Sequence, residues 1–455
     1  MQKYHVITYG CQMNKSDSEK IATVLENIGY QPAPNENEAD LILVNMCSVR
    51  QSAVDRIYGL IPKFEKLKKE NPKLKTILTG CILKEDRKKL KGGFDFILDI
   101  KDLPSWPKYL PQTSIILKPS PLFYDSYLDV KPKYSNNFSA FLPISNGCNW
   151  SCAYCVIPFT RGKLVCRNYE EILKEAKDVI EKGVKEIWLL GQNVNDYRSR
   201  LTQISTKKNA EINFAKLLKM VNNIEGDFWI RFTSPNPKNF SGELIETMAK
   251  CQKVTPHLNL PVQSGDYKIL KRMNRPYTVE QYKNLVKKIR VAFKKYRKGL
   301  EKDVTISTDI IVGFPGETKK QFENTTKLMK EIKFDMAYIA KYSPRPQTTA
   351  FKLKDNVFFE EKERRYKILT EVLKKTALGK NKKFVEKEIE VLVEKKKNDF
   401  LIGKSRHYRT VKINLTPKTY YLKPKLVGQF IKVKIVDAFP WGLKGIFYLK
   451  VDKPS

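Results

Sequence analysis

The sequence predicts an α/β protein in three parts: an N-terminal open parallel α/β domain, a central partial (βα)6 barrel, and a small closed β-barrel at the C-terminal end. Three observations predict this. Short apolar runs alternate with helical stretches through most of the chain. Polar and glycine-rich clusters follow the apolar runs, where the loops of an α/β sheet carry binding groups. The final stretch changes to closely spaced short strands. The expected boundaries are 1–120, 138–375 and 380–452.

In the first part, Tyr4–Thr8, Leu41–Val44 and Thr76–Leu78 read as strands. The segments Ser16–Ile28 and Val54–Lys69 read as the helices that follow the first two. Cys11, Cys47 and Cys81 each sit just past a strand, so cysteines far apart in sequence can converge on one crevice. Residues 100–138, rich in Pro, Ser and Tyr, read as a connector.

The alternation resumes six times. The candidate strands are Ala140–Ile144, Glu186–Leu190, Phe228–Phe232, His257–Leu260, Thr305–Val312 and Met336–Ala340. Six right-handed βα units favour a partial barrel, with its active site at the face beyond the strand ends. After a basic helix near Glu360–Lys383, five short strands suggest an oligonucleotide-binding style of barrel: Ile389–Glu394, Phe400–Lys404, Thr410–Asn414, Phe430–Val436 and Gly445–Val451. Basic residues outnumber acidic ones there by more than two to one, and Tyr408 and Tyr420 are candidate exposed aromatics.

The chain carries 85 Lys and Arg against 49 Asp and Glu, a net +36, which favours a polyanion partner such as RNA. No apolar run is long enough to cross a bilayer, and the first residues lack a secretory signal pattern. The expectation is a cytoplasmic protein with no membrane partner. In a reducing compartment the eight cysteines point to metal binding or catalysis rather than to disulfides. Cys166 and Cys251 fall in no motif and read as ordinary thiols.

Cys148-Asn-Trp-Ser-Cys152-Ala-Tyr-Cys155 is the sharpest signal. Three thiolates at CxxxCxxC spacing can ligate three irons of a 4Fe–4S cube and leave the fourth open to another ligand. Zinc would want a fourth Cys or His close by, and none is present.

These residues resemble the radical S-adenosylmethionine (SAM) superfamily. There the open iron chelates SAM, and one electron yields a 5′-deoxyadenosyl radical that abstracts hydrogen. The resemblance narrows with Thr8–Asn14 (TYGCQMN), Asn45–Arg50 (NMCSVR) and Gly80-Cys81. It continues through Gly147–Gly162, Leu189–Asn195, Arg231–Pro237, Leu260–Gly265, Thr308–Thr318 and Tyr342–Pro346. Together they are similar to the tRNA methylthiotransferases that end in a TRAM domain, an RNA-binding β-barrel. The resemblance implies two 4Fe–4S clusters, an auxiliary one on Cys11, Cys47 and Cys81 and a radical SAM one on Cys148, Cys152 and Cys155. It places SAM against Tyr154, Gln192, Asn193, Ser234, Gln263, Asp309 and Val312. It places substrate RNA against Gln12, Asn14, Asn45, Arg50, Arg161, Arg406 and Tyr408. One SAM would donate the methyl group and a second would be the radical source. The product would be the 2-methylthio form of N6-isopentenyl-adenosine in a tRNA anticodon stem-loop. A flavodoxin or ferredoxin would serve as electron donor to a monomeric enzyme.

Two other readings remain at this point. Related enzymes act on threonylcarbamoyl-adenosine of tRNA or on an aspartate of a ribosomal protein; Gln12-Met13 and Ser48-Val49-Arg50 favour the isopentenyl substrate. A non-catalytic iron–sulfur RNA-binding protein would need the basic barrel but not the candidate SAM loops.

Overall fold

Strand Leu41–Cys47 is buried at every position, and a strand so apolar belongs in the middle of a covered parallel sheet. The computed structural model, which describes residues 1–49, 51–110, 126–200, 211–416 and 425–448, places it there. The sheet runs in the order Gln31–Pro32, Lys3–Tyr9, Leu41–Cys47, Lys75–Cys81, Phe96–Ile97, all parallel. Arg50 and Tyr420 lie outside the described residues. Helix Gln12–Asn27 begins four residues earlier than expected, immediately after Cys11. The segment expected to be a mere connector packs instead: Leu103, Trp106, Tyr127 and Val130 are buried against Ile21, Leu25 and Leu43. Its Pro content hid a 3-10 helical stretch, Ile100–Lys108, whose apolar residues cover the sheet.

The central strands are Ser139–Pro143, Glu186–Leu190, Trp229–Phe232, His257–Asn259, Thr305–Val312 and Met336–Lys341. They form two parallel three-stranded sheets joined by a bridge between Ile230 and Val254. This is the expected six-strand partial barrel. Period-two alternation sorts its faces. Ala140, Leu142, Ile187, Leu189, Ile306 and Ile310 point outward into the helical core. Phe141 and Trp188 share a cluster with Leu190 and with Met13 of the N-terminal helix. That helix therefore packs against the inner face of the first two barrel strands, and Ser16 Oγ donates to Phe141 O at 3.4 Å.

Strands Glu388–Lys397, Phe400–Ser405, Thr410–Leu415, Gly442–Phe447 and Phe430–Phe439 close into a barrel in that spatial order. The last strand ends at Phe447 rather than running to Val451; residues 449–455 lie outside the described ones. This barrel docks on the N-terminal mouth of the central one through the turn 405–409. Tyr408, at φ 62°, inserts its ring 4.7 Å from His257 and 5.2 Å from Trp188. The guanidinium of Arg231 lies 4.9 Å from the same ring, donates to the Ser405 and Arg406 carbonyls, and pairs with Glu186 at 2.5 Å. Arg406 pairs with Glu301, and Arg409 with Asp335 at 2.6 Å. Arg406 and Tyr408, expected to face RNA, are thus turned inward as a plug. A basic, aromatic turn fits a polyanion or a cavity lined by carboxylates and rings, and here the cavity is the partner. Among the described residues no helix is long and apolar enough to cross a membrane.

Removing the Tyr408 ring empties a site between Trp188, His257, Arg231 and Lys404. Tyr408→Ala should lower unfolding stability by about 2–3 kcal/mol in chemical denaturation. Lys412→Ala, on the exposed outer face, should leave it within about 0.5 kcal/mol.

Candidate active site

Cys47 and Cys81 are paired residues of adjacent strands, so the sheet register places them side by side at its carboxyl edge. Gly80 makes this approach possible. Its φ is +107°, and any Cβ there would fall 2.2 Å from Met46 O. Cys11 precedes the helix on the neighbouring strand, and its N–H donates to Asn14 Oδ1 at 3.2 Å. Asn14 Nδ2 donates to Asn45 Oδ1 at 2.9 Å, and Asn45 Nδ2 returns a bond to Asn14 O at 2.8 Å. Both asparagines are fully buried. They brace the two cysteine turns and cannot reach RNA, which corrects the expectation for Asn14 and Asn45.

The three thiols feel one another. Hydrogen bonding to Cys81 and then burial push Cys47 well up, and burial followed by the charge of Cys81 raises Cys11. Cys81 is pushed down, first by the Cys47 thiol and further by Arg161, against the effect of burial. Three thiolates cannot share this space without positive charge between them. A 4Fe–4S core would supply that charge, and Cys11, Cys47 and Cys81, converging from three turns, fit such a group. Among the described residues no three His, Cys, Asp or Glu side chains converge on a single metal ion.

The second trio lies on the loop after the first barrel strand. Gly147, at φ +84°, lets the loop leave the strand, and its N–H donates to Gln192 Oε1 at 2.6 Å. Ala153 N–H bonds Met273 O at 2.9 Å, and Ala350 N–H bonds Ala153 O at 2.7 Å. Arg275 Nη1 donates to Cys152 Sγ at 3.4 Å. Burial pushes Cys148 up, with Cys152 adding to it, and takes Cys155 to about 12, with Cys152 and Cys148 adding to it. Here too a cationic core would release the strain.

Arg161 joins the two trios. It ends the loop that begins at Cys148, and its Nε donates to Cys81 Sγ at 3.0 Å. Its guanidinium pairs with Asp17, both side chains being fully buried, and Tyr127 OH also donates to Asp17. Arg161, expected to face substrate RNA, is instead committed by burial to this ion pair.

Of the residues expected to face SAM, Asn193 Nδ2 donates to Asp196, which also accepts from Trp150 in the cluster loop at 2.8 Å. Asn193 Oδ1 is buried with no hydrogen-bond partner. Asp309 accepts from Asn259 Nδ2 at 2.9 Å, and its carbonyl accepts from Gln263 N–H at 2.8 Å. Ser234 and Gln263 both take left-handed backbone, at φ 56° and 70°. Tyr154 is partly buried, and burial holds its phenol well above the ordinary range. Gln192 braces the cluster loop, and Val312 is wholly buried in the core beneath the site. Gln12 lines a cavity of 810 Å³ between the N-terminal domain and the barrel, with Lys15, Phe141, Trp188 and Tyr408. Sequence reading missed Asp17, Arg275 and Arg345. Asp17 stands six residues after Cys11 but meets Cys81 only through Arg161, and Arg275 and Arg345 lie far in sequence from Cys152 and Gln51, which they contact.

The Asp17–Arg161 pair makes a sharp prediction. Asp17→Asn leaves a guanidinium buried without its counter-charge and should cost about 3–5 kcal/mol in denaturant unfolding. Replacing both partners by Leu and Met should recover most of that loss. A single-variant cost below about 1 kcal/mol would mean that the pair is not dry.

The geometry agrees with what the chain is similar to. Residues 142–329 match the Radical SAM superfamily, 3–98 match the Uncharacterized protein family UPF0004, and 382–447 match the TRAM domain. A tRNA-2-methylthio-N(6)-dimethylallyladenosine synthase of Dictyoglomus thermophilum is 39% identical over 99% of this chain and 100% of its own. One from Carboxydothermus hydrogenoformans is 38% identical over 98% and 99%. Among solved structures, a radical S-adenosylmethionine methyltransferase from Kitasatospora setae shares the fold, with TM-score 0.50 and 13% identity over 77% of this chain and 75% of that one. Membership of the superfamily carries with it a 4Fe–4S cluster and SAM, and the TRAM domain fits RNA binding. The chain belongs to the radical SAM family of the tRNA-2-methylthio-N(6)-dimethylallyladenosine synthases.

Proposed function

We propose that this chain is a tRNA methylthiotransferase that converts N6-isopentenyl-adenosine, beside the anticodon, to its 2-methylthio derivative. The observation that carries the reading is the contact of Arg161, from the loop of one cysteine trio, with Cys81 of the other. Trios joined through this contact could, with their clusters bound, serve one base. The work divides as the boundaries suggest, with an auxiliary cluster in 1–120, SAM and its cluster in 138–375, and RNA binding in 380–452.

Bound SAM would supply the methyl group and the means of hydrogen abstraction, and the clusters would supply electrons and sulfur. The protein's own part is to hold and to exclude. Arg275 and Arg161 donate to one cysteine sulfur of each trio, and Arg161 helps to hold the Cys81 thiol down. Asn193 Oδ1 offers an acceptor for an ammonium, and Asp309 an acceptor for hydroxyls. Tyr408 closes the N-terminal mouth of the barrel against water. A base in an anticodon loop is splayed out at little cost, so a pocket can take it. The RNA backbone meets the outer face of the small barrel, where Lys412 lies 4.2 Å from the Phe400 ring and Lys432, Lys434 and Lys444 follow on neighbouring strands. The enzyme acts as a cytoplasmic monomer and takes electrons from a flavodoxin or ferredoxin.

Reconstituted protein should hold about eight irons, and Cys11→Ala or Cys148→Ala about four each. Mass spectrometry of tRNA should show the methylthio product only with both trios intact. An iron content of about four that Cys11→Ala leaves unchanged would remove the auxiliary site and this function with it.

A further inference from the structure

A pocket of about 300 Å³ opens where helices Val279–Tyr296, Lys319–Ile332 and Phe359–Asn381 meet the turn 405–409, at the seam between the central and small barrels. Seven of its lining residues are Lys or Arg against three Asp or Glu. The three carboxylates are already committed. Asp335 holds Arg409 at 2.6 Å and Lys380 at 2.7 Å, Asp303 holds Lys383 at 3.1 Å, and Glu331 holds Lys283 at 2.8 Å. Among the described residues Arg290, Lys294, Lys302 and Lys333 meet no carboxylate, and Arg290 donates only to the neutral Ile332 carbonyl, at 2.7 Å. A concave surface lined by one sign of charge focuses its field on whatever enters, so this pocket selects an anion.

Arg409 makes the pocket a site rather than a patch. It is 9% exposed, its Nη2 serves Asp335, and its Nε is buried with no hydrogen-bond partner. A buried guanidinium N–H is strongly disfavoured without an acceptor, so this donor calls for one from outside the chain. Burial holds Lys380 below its ordinary range, with Arg290 and Arg409 adding to the effect and Asp335 opposing it. The positive groups therefore act on one another across a shared space.

Lysine point charges beside a guanidinium suit a phosphate, which offers compact charge and several acceptor oxygens at once. The pocket also adjoins the lysine-bearing face of the small barrel. Lys383 lies on its rim, the Glu386 N–H bonds Ile435 O at 2.8 Å, and Glu386 pairs with Lys434 at 2.9 Å.

We propose that this seam pocket is a phosphate-binding site that takes a backbone phosphate of the bound tRNA. The inference rests on the RNA-modifying reading above, and it adds a subsite remote in sequence from both cysteine trios and shared by the two barrels. A phosphate contact there reads no base; it fixes how the RNA lies across the seam.

The test uses the full chain and an isopentenylated anticodon stem-loop, with affinity read by filter binding over a range of salt. Lys294→Gln with Lys333→Gln removes two exposed cations from the pocket, and Lys177→Gln with Lys182→Gln removes two exposed cations from outside it. The pocket variant should bind at least about tenfold more weakly with a salt slope lower by about 1–2, and the other should stay within about twofold of the wild type. Stem-loops carrying single neutral methylphosphonates should lose affinity for the wild type at one or two positions that the pocket variant no longer senses. Equal losses in the two variants would overturn the proposal, since overall charge would then explain them. In a parallel titration with sodium pyrophosphate, loss of pyrophosphate binding with stem-loop affinity intact would overturn it too, leaving the pocket to a free anion. No change with either probe would return Arg409 Nε to the adjoining cavity of 80 Å³, where Asn381 Oδ1 and Thr305 Oγ1 also lack partners, and would end the proposal. A wild-type protein without affinity for the stem-loop would refute the RNA reading itself, and the proposal with it.

Discussion

The buried pair between Arg161 and Asp17 is the constraint on which the rest of the site depends. Four segments meet at it: the helix after Cys11, the strand ending at Cys81, the loop that starts at Cys148, and the stretch around Tyr127. Each contributes a group that would be costly to bury alone. An isolated guanidinium is not tolerated in a dry site, nor is an isolated carboxylate. Bringing them together demands that the N-terminal domain and the barrel dock in one orientation. The pair adds little net stability over an apolar contact of the same shape, and its value lies in specifying that orientation. It also puts a side-chain donor from the loop of one trio, Arg161 Nε, on a cysteine sulfur of the other.

The loop from Gly147 to Cys155 shows the same economy. It has almost no regular structure, yet Gln192, Met273 and Ala350 each bond its backbone from a different part of the barrel. Three thiols on an unbraced loop would drift apart under their mutual repulsion. Bonds from three directions fix their spacing before any metal arrives, and the ordering entropy is paid during folding rather than on binding.

Much of this was legible in the sequence because it rests on local pattern. Period-two runs such as Glu186–Leu190 and Thr305–Val312 gave strands, and a glycine before Cys11, Cys81 and Cys148 marked the turn each cysteine needs. What escaped is what depends on residues distant in sequence. Asn14 and Asn45 stand in a motif and read as contacts for substrate, but their burial turns them into struts for each other. Arg161 has the chemistry of a phosphate binder, and only the position of Asp17, more than a hundred residues earlier, decides otherwise. The stretch around Trp106 and Tyr127 lacks periodicity, since it covers the sheet with scattered apolar residues and not with a helix face.

The fate of the turn 405–409 bears on how a strongly basic chain handles RNA. Arg161, Arg231, Arg275, Arg297, Arg365 and Arg409 are all buried, each bonded to carboxylates, carbonyls or sulfur inside the fold. Among lysines, only Lys20 and Lys362 are so placed among the described residues. Arginine, with its fork of donors, has been used for internal joints, and the surface charge is left mainly to lysine. Lysines act on a polyanion as mobile point charges, so they give affinity and steering with little sequence discrimination. Choice of the base then falls to the interior of the fold rather than to its lysine-bearing surface. Plugging the barrel mouth with Tyr408 and Arg406 thus forgoes two RNA contacts that a basic surface can spare, and gains a closed end for a pocket that has to exclude water.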